Sequence, residues 1–267
     1  MEQDVIMRLF RNFLETKYSH LRNDMRSFQK MVSCGMPKIS GDANTELDHP
    51  ITVEEFREAV KKGKRHKSPG PDGICHEFFK QMWDIVKNDM VDIIINMYIE
   101  GSVSDAQKHG HIVCLPKTGA PASPENYRTL TILSTDYKLL TRIIANRLRP
   151  WMKDILHHIQ YCGRNGQTIF DAVATVRDII AYQEETNKPI CLLSIDFKDA
   201  FDKMSHAFLF KILREYENTR QVKTSAHDFK RSTPMLPRHS LNGHKSTPIE
   251  ILNGVLQVCP LLPSIRS

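Results

Sequence analysis

The stretch that most constrains this chain is Leu192-Leu193-Ser194-Ile195-Asp196-Phe197-Lys198-Asp199-Ala200-Phe201-Asp202. An apolar run of strand length, Ile190 to Ile195, is interrupted only by Ser194, the pattern of a strand buried in a sheet. It ends on Asp196, which such a strand would deliver at the sheet's rim, where a carboxylate can hold Mg²⁺ against a triphosphate. The plainer reading is that Asp199 and Asp202 cap or solvate the start of the helix that follows, where acidic side chains suit the positive end of the helix dipole. The D-x-x-x-A-F-D spacing alone does not choose between the two.

With 267 residues and 40% hydrophobic content, the chain can bury a core and form one large domain or two smaller ones, which excludes disorder throughout. A balance of 37 Lys and Arg against 31 Asp and Glu gives a net charge of +6 and a pI near 8.9, favouring an anionic partner. Six cysteines, at 34, 75, 114, 162, 191 and 259, form no C-x-x-C and have no histidines at zinc-ligand spacing. Cys114 and Cys191 fall in predicted buried strands, where free thiols act as small apolar groups, as in a reducing compartment. The Met1-Glu2-Gln3-Asp4 start lacks a secretory pattern and no apolar run is long enough to span a membrane. The expectation is an intracellular protein of the nucleus or cytoplasm.

Along the chain, Val5, Leu9 and Phe13, then Leu21, Met25 and Phe28, recur at helical spacing and predict one or two surface helices. Cys34 to Pro50, with Gly35, Pro37, Gly41, Asn44 and Pro50, reads as a connecting loop that sets this arm apart from the body. Thr52-Val53-Glu54-Glu55 is a capping box opening a helix with Phe56 and Val60 on its buried side. That helix runs into the basic stretch Lys61 to Lys67 and stops at Ser68-Pro69-Gly70-Pro71-Asp72-Gly73. Two helices, roughly Cys75 to Lys87 and Asn88 to Ile99, follow, the second with a Val91, Ile94, Ile95, Tyr98 stripe. Next come a buried strand from His111 to Leu115, a turn at Pro116 to Pro121, and a long helical pattern from about Ser134 to Ile159. The last pairs Leu140, Ile143, Ile144, Arg147 and Leu148 with Lys138, Arg142 and Arg149 on its other side. Helices are predicted over Ile169 to Glu184 and Ser205 to Tyr216, a loop from Arg220 to Ser240, and an apolar tail from Ile249 to Leu262.

Several ordered segments together resemble the reverse transcriptase domain of non-LTR retrotransposons, the long-interspersed-element type, over roughly Pro50 to Leu262. Lys67-Ser68-Pro69-Gly70-Pro71-Asp72-Gly73-Ile74 is similar to the segment ahead of the fingers. Leu115-Pro116-Lys117, Asn126-Tyr127-Arg128, Lys138 and Ala145-Asn146-Arg147-Leu148 resemble the fingers motifs. Gln160 to Asp171, with Gly163-Arg164 and Gly166, resembles the segment before the palm strand, Asp196 to Asp202 motif A, and Gly254 to Leu261 an altered motif B. The resemblance implies an α+β fold, right-hand polymerase fingers with a partial palm of incomplete antiparallel sheet flanked by helices. It divides the chain into an N-terminal helical arm and linker (1–50), a fingers-like region (51–189) and a partial palm (190–267).

The implied chemistry is RNA-directed DNA synthesis, in which a primer 3′-hydroxyl attacks a nucleotide α-phosphate with the help of two Mg²⁺ ions. The implied partners are an RNA template, a DNA primer and deoxynucleoside triphosphates. Asp196 and the Phe197 carbonyl would ligate metal, and Lys117 and Arg128 would neutralise the triphosphate. Phe201 would lie under the sugar and exclude a 2′-hydroxyl, and Gln257 would line the nucleotide pocket. Lys117 and Arg128 could equally be solvated loop charges, and Phe201 a core aromatic. Lys64, Arg65, Lys67, Lys138 and Arg142 are candidate nucleic-acid contacts, although the basic run also reads as an import signal or a soluble helix end.

The sequence departs from the family in two respects. No Asp-Asp pair follows motif B before Ser267, and Leu256, Val258 and Leu262 stand where the motif carries Arg, Gly and Ser. Two-metal chemistry needs carboxylates from both strands, with the ions about 4 Å apart, and Asp202, beyond a turn, should point away from the metal site. The expectation is a truncated polymerase domain inactive by itself. The alternatives are a nucleic-acid-binding module without catalysis, or a relic product with an incomplete sheet.

Overall fold

The computed structural model describes residues 2–19, 26, 29–30, 40–100, 103–117, 122–162, 166–216, 238–241 and 244–255. Its helices are α1 (Glu2–Lys17), α2 (Gly41–Asp48), α3 (Val53–Lys61), α4 (His76–Gln81), α5 (Trp83–Glu100) and α6 (Asp105–Lys108), followed beyond the first two strands by α7 (Thr135–Leu148), α8 (Met152–Ile155), α9 (Ile169–Thr186) and α10 (His206–Tyr216). The strands are β1 (His111–Pro116), β2 (Tyr127–Ile132), β3 (Arg238–Leu241) and β4 (His244–Lys245), in the spatial order β2-β1-β3-β4. The sheet is mixed: β1 pairs antiparallel with β2 and parallel with β3, and β3 pairs antiparallel with β4.

The larger core is helical. Thr52 caps α3 through the full reciprocal box with Glu55, which satisfies the Thr52 and Glu55 amides and fixes the helix start. Phe56, Ala59 and Val60 then face Phe79 of α4, Val91, Ile94 and Met97 of α5, and Tyr137, Leu139, Leu140 and Ile143 of α7. Arg147, on the far turn of α7, ties this core to the segment before α3. Its guanidinium grips Glu55 with Nε to Oε1 at 2.6 Å and Nη2 to Oε2 at 2.7 Å. It also donates to the carbonyls of Leu47 and Pro50. Burial pushes the Glu55 carboxyl up, but the hydrogen bonds from Arg147 and Thr52 outweigh it and hold the group below the usual carboxylate range.

A second core joins α1 to the sheet: Phe10, Leu14 and Tyr18 pack on Ile112 and Cys114 of β1 and on Ile249 and Ile251. The α1 face that buries is therefore not the predicted stripe. Val5 and Leu9 are half exposed and only Phe13 of that stripe packs against the core, because Phe10, Leu14 and Tyr18 are the side chains on the helix face that meets the sheet. Leu21, Met25 and Phe28 lie outside the described residues.

Other departures have local causes. The expected loop before Pro50 contains α2, whose Ser40 side chain accepts from the Ala43 amide and whose Ala43 and Leu47 dock on Leu148, Trp151 and Ile155; tertiary docking offsets the weak propensity of Gly41 and Asn44. The break between the next two helices falls at Met82 rather than after Lys87, with Trp83 opening α5 and tilted against Phe56 at 5.3 Å. The long helix stops at Leu148 because Pro150 lacks an amide donor; a 3₁₀ turn and α8 follow. Arg238 to Ser240, expected in a loop, pairs with β1.

The largest correction concerns the strand expected at Ile190 to Ile195. That segment joins no strand among the described residues, and Leu192, Leu193 and Ile195 are 68–76% exposed. A strand apolar on both faces needs neighbours on both edges and cover on both faces, and none of the described strands supplies them. Cys191 is accordingly exposed, contrary to expectation, whereas Cys114 is buried as expected. The sheet expected to be antiparallel is built instead around β1, and it contains β2, a strand the hydropathy pattern did not single out.

Candidate functional site

Two places in the fold bear on the expected site. The first is the β1–β2 hairpin, registered so that Leu115 faces Arg128 and Pro116 faces Tyr127. The Lys117 amide donates to the Asn126 carbonyl at 2.9 Å, and its ammonium to the Glu125 carbonyl at 2.9 Å. The hairpin thereby brings Lys117 and Arg128 to one end of the sheet, both exposed. On the opposite face, Ile112 lies across from Thr131 and Cys114 across from Thr129, so β2 buries its threonines rather than Leu130 and Ile132. A buried hydroxyl needs a partner, and Thr129 Oγ1 has one in Tyr18 OH at 3.0 Å.

The second place is the acidic turn. Asp196 and Phe197 lie exposed at the end of the unpaired apolar segment, Phe197 at 76%. Among the described residues no hydrogen bond or ion pair joins Asp196 to Lys117 or Arg128. The chain then turns through 198–203, with Asp199 in the left-handed region at φ 55°. Asp202 is buried. Its Oδ2 lies 3.0 Å from Lys17 Nζ, and its Oδ1 accepts from Tyr18 OH at 3.4 Å. Lys17 Nζ also lies 4.0 Å from Asp199 Oδ1 and rests over the rings of Phe13 and Tyr18. Burial, and then the charge of Asp202, push the Tyr18 hydroxyl well above the usual phenol range. Burial likewise pushes the Cys114 thiol up to about 11, against the pull of Lys17.

The segment that opens the altered motif B closes over this turn. The Gly254 amide donates to the Met204 carbonyl at 2.7 Å and the Val255 amide to that of Phe201 at 2.9 Å, while His206 Nε2 donates to the Gly254 carbonyl at 2.6 Å. Gly254 has φ 86°, and a Cβ there would lie 2.7 Å from the Asp202 carbonyl oxygen, so only glycine fits. Phe201 is half-buried beneath this segment. Gln257 lies outside the described residues.

The five basic candidates separate by burial. Lys64, Arg65 and Lys67 are exposed on a turn held by α4: Lys80 Nζ donates to the Gly63 carbonyl at 2.8 Å and the His66 amide to Glu77 Oε1 at 2.5 Å. Lys138 and Arg142 are half-buried, and Arg142 donates to the Ala59 carbonyl at 3.1 Å. Lys17 and Tyr18 were not among the sequence candidates. Their partner Asp202 is 184 residues from Tyr18, and no local pattern signals such a pairing.

Comparison with known proteins fits the ordered motifs. Residues 115–265, just over half of the chain, match the family described as reverse transcriptase (RNA-dependent DNA polymerase). The chain is 30% identical over 233 residues to the transposon TX1 uncharacterized 149 kDa protein of Xenopus laevis, covering 87% of this chain and 18% of that protein. It is 30% identical over 206 residues to the probable RNA-directed DNA polymerase from transposon BS of Drosophila melanogaster, covering 74% and 22%. With the type-2 retrotransposable element R2DM polyprotein of Drosophila melanogaster the identity is 25% over 241 residues, covering 86% and 21%. The chain thus spans about a fifth of the length of these relatives. No helix among the described residues is long and apolar enough to cross a membrane. With the ordered motifs, the matched region and relatives that are retrotransposon proteins, the chain belongs to the reverse transcriptase (RNA-dependent DNA polymerase) family.

Proposed function

We propose that this chain is the fingers and part of the palm of an RNA-directed DNA polymerase of retrotransposon origin, and that it does not extend a primer by itself. In this reading residues 51–189 are the fingers-like region and 190–267 the partial palm, with 1–50 as an N-terminal arm. The hairpin end carrying Lys117 and Arg128 faces a nucleotide triphosphate and Phe201 the sugar, and the family resemblance assigns Gln257 to the nucleotide pocket.

The observation that carries the reading of inactivity is the donor set around Asp196. Among the described residues no three His, Cys, Asp or Glu side chains converge on a possible cation position, and Asp202 is held by Lys17. Two-ion nucleotidyl transfer needs carboxylates from more than one strand, and the described residues around Asp196 do not form a complete Mg²⁺ centre.

Primer extension on an RNA template with a DNA primer, dNTPs and Mg²⁺ or Mn²⁺ tests this directly, with Asp196→Ala as the control. The expected result is no incorporation by a chain shown to be folded. Incorporation that disappears in the control would overturn the proposal and mean that a further carboxylate completes the site.

A second reading, phosphate-backbone binding without catalysis, is supported by the pinned and exposed turn of Lys64, Arg65 and Lys67. It predicts metal-independent binding of RNA or DNA that weakens steeply with salt, and a shallower salt dependence in R65A/K67A, by about one unit of log–log slope per lost phosphate contact.

A further inference from the structure

We infer that Lys17 is a positioning residue: the end of α1 anchors the acidic turn that follows Asp196 and commits Asp202 to that anchor rather than to a metal ion. The inference deepens the polymerase reading and rests on it for the role of Asp196. It concerns a residue that lies outside the matched region 115–265.

Four observations converge on the anchor. The Lys17 side chain is 8% exposed and that of Asp202 is 7% exposed, so water competes weakly for either charge and each needs the other. Both Asp202 oxygens have partners, Lys17 Nζ and Tyr18 OH, so turning the carboxylate toward a cation would break both contacts. Asp199 takes the left-handed conformation at φ 55°, as few residue types other than glycine readily do, and this turn brings its Oδ1 to 4.0 Å from Lys17 Nζ as well. The same end of α1 grips the opening of motif B: the Leu252 amide donates to the Tyr18 carbonyl at 3.1 Å, and Asn253 Nδ2 donates to the Ser19 carbonyl. Three stretches distant in sequence therefore meet at Lys17, Tyr18 and Ser19. Losing the ammonium should loosen the turn and the 252–255 segment together, while α7, in the other core, stays closed.

Hydrogen exchange of the full chain, followed by mass spectrometry, tests this in wild type, Lys17→Met and Lys17→Arg. The expected result is at least about tenfold faster exchange of amides in 199–206 and 252–255 in K17M, unchanged exchange in 135–148, and recovery in K17R. Wild-type protection of 199–206 in K17M would overturn the inference. So would exchange raised equally in 135–148, which marks a global stability role, or a K17R variant as fast as K17M. If K17M does not fold, K17M/D202N removes both charges together; it should fold with 199–206 still fast, and wild-type protection there would overturn the anchor. The readout needs no turnover, so an unexpected primer-extension result would revise the functional reading alone.

Discussion

Replacing Arg147 by Met keeps the aliphatic stem of the side chain and removes only its charge and donors. The guanidinium side chain is 8% exposed and makes a two-point contact with a Glu55 side chain that is 31% exposed. Breaking one partner of a fully buried pair costs about 3–5 kcal/mol. Here the stranded carboxylate is partly open to water and keeps the Thr52 amide as donor, which places the cost at the lower end. The carbonyls of His49 and Pro50 belong to exposed residues and can turn to solvent. The total is about 3 kcal/mol. Urea unfolding at pH 7, followed by both far-ultraviolet circular dichroism and tryptophan fluorescence, should show a lower midpoint at unchanged m-value. The pH dependence is a second check. Glu55 is depressed from an ordinary value of 4.5, so its contribution is fully present above that value and is lost as pH falls through the lower folded value. The difference between wild type and R147M should shrink steadily below pH 4.5. A loss under about 1 kcal/mol at pH 7, or a difference indifferent to acid, would refute the bidentate pair as the link between α7 and the start of α3.

Three further outcomes are expected. A Cβ at Gly63 would lie 1.6 Å from His76 Nε2, whose ring donates to the Val60 carbonyl at 2.6 Å; G63A should cost about 2 kcal/mol or more by chemical denaturation and G63A/H76A should recover part of it, whereas a neutral G63A would contradict the packing. Phe56 is wholly buried among α3, α5 and α7, and F56A should lose about 3–5 kcal/mol in the same assay; a loss below about 1 kcal/mol would place it outside the core. Iodoacetamide followed by peptide mass spectrometry should modify exposed Cys162 and Cys191 in the native chain and Cys114 only after denaturation, since burial hides that thiol and pushes it up to about 11; native labelling of Cys114 at the rate of Cys191 would contradict the α1–β1 packing.

What the sequence made legible is what neighbours in the chain decide. The α3 start follows from Thr52 and Glu55, three residues apart, and the α5 stripe from a 3.6-residue period that one core reads. Pairing across long stretches left no such trace. The two faces of β2 differ only in which alternate residues bury, and hydropathy favours Leu130 and Ile132; Thr129 and Thr131 bury instead because they lie across from Cys114 and Ile112 on the face that meets α1, where Tyr18, 111 residues away, bonds Thr129. In α1 the apolar period offered Val5, Leu9 and Phe13, of which Phe13 alone packs on the sheet-side core, and Phe10, Leu14 and Tyr18 fill it because the sheet lies on their side.

The Ile190–Asp196 segment separates what a sequence encodes from what a fold realises. Its composition specifies a strand, but a strand is a property of pairs: without neighbours its amides stay unpaired and its apolar side chains face water. The exposed apolar side chains of α9, from Ile169 and Phe170 to Tyr182, precede the same segment. Asp196 is thus placed by residues that have no cover among the described elements, whereas Asp202, six residues later, is fixed by an ion pair to α1. The resemblance assigns chemistry to the first carboxylate and the structure gives order to the second. A working centre of the family's kind would have to transfer that order back along the turn from Asp202 to Asp196, with strand partners on Ile190 to Ile195 fixing the other end.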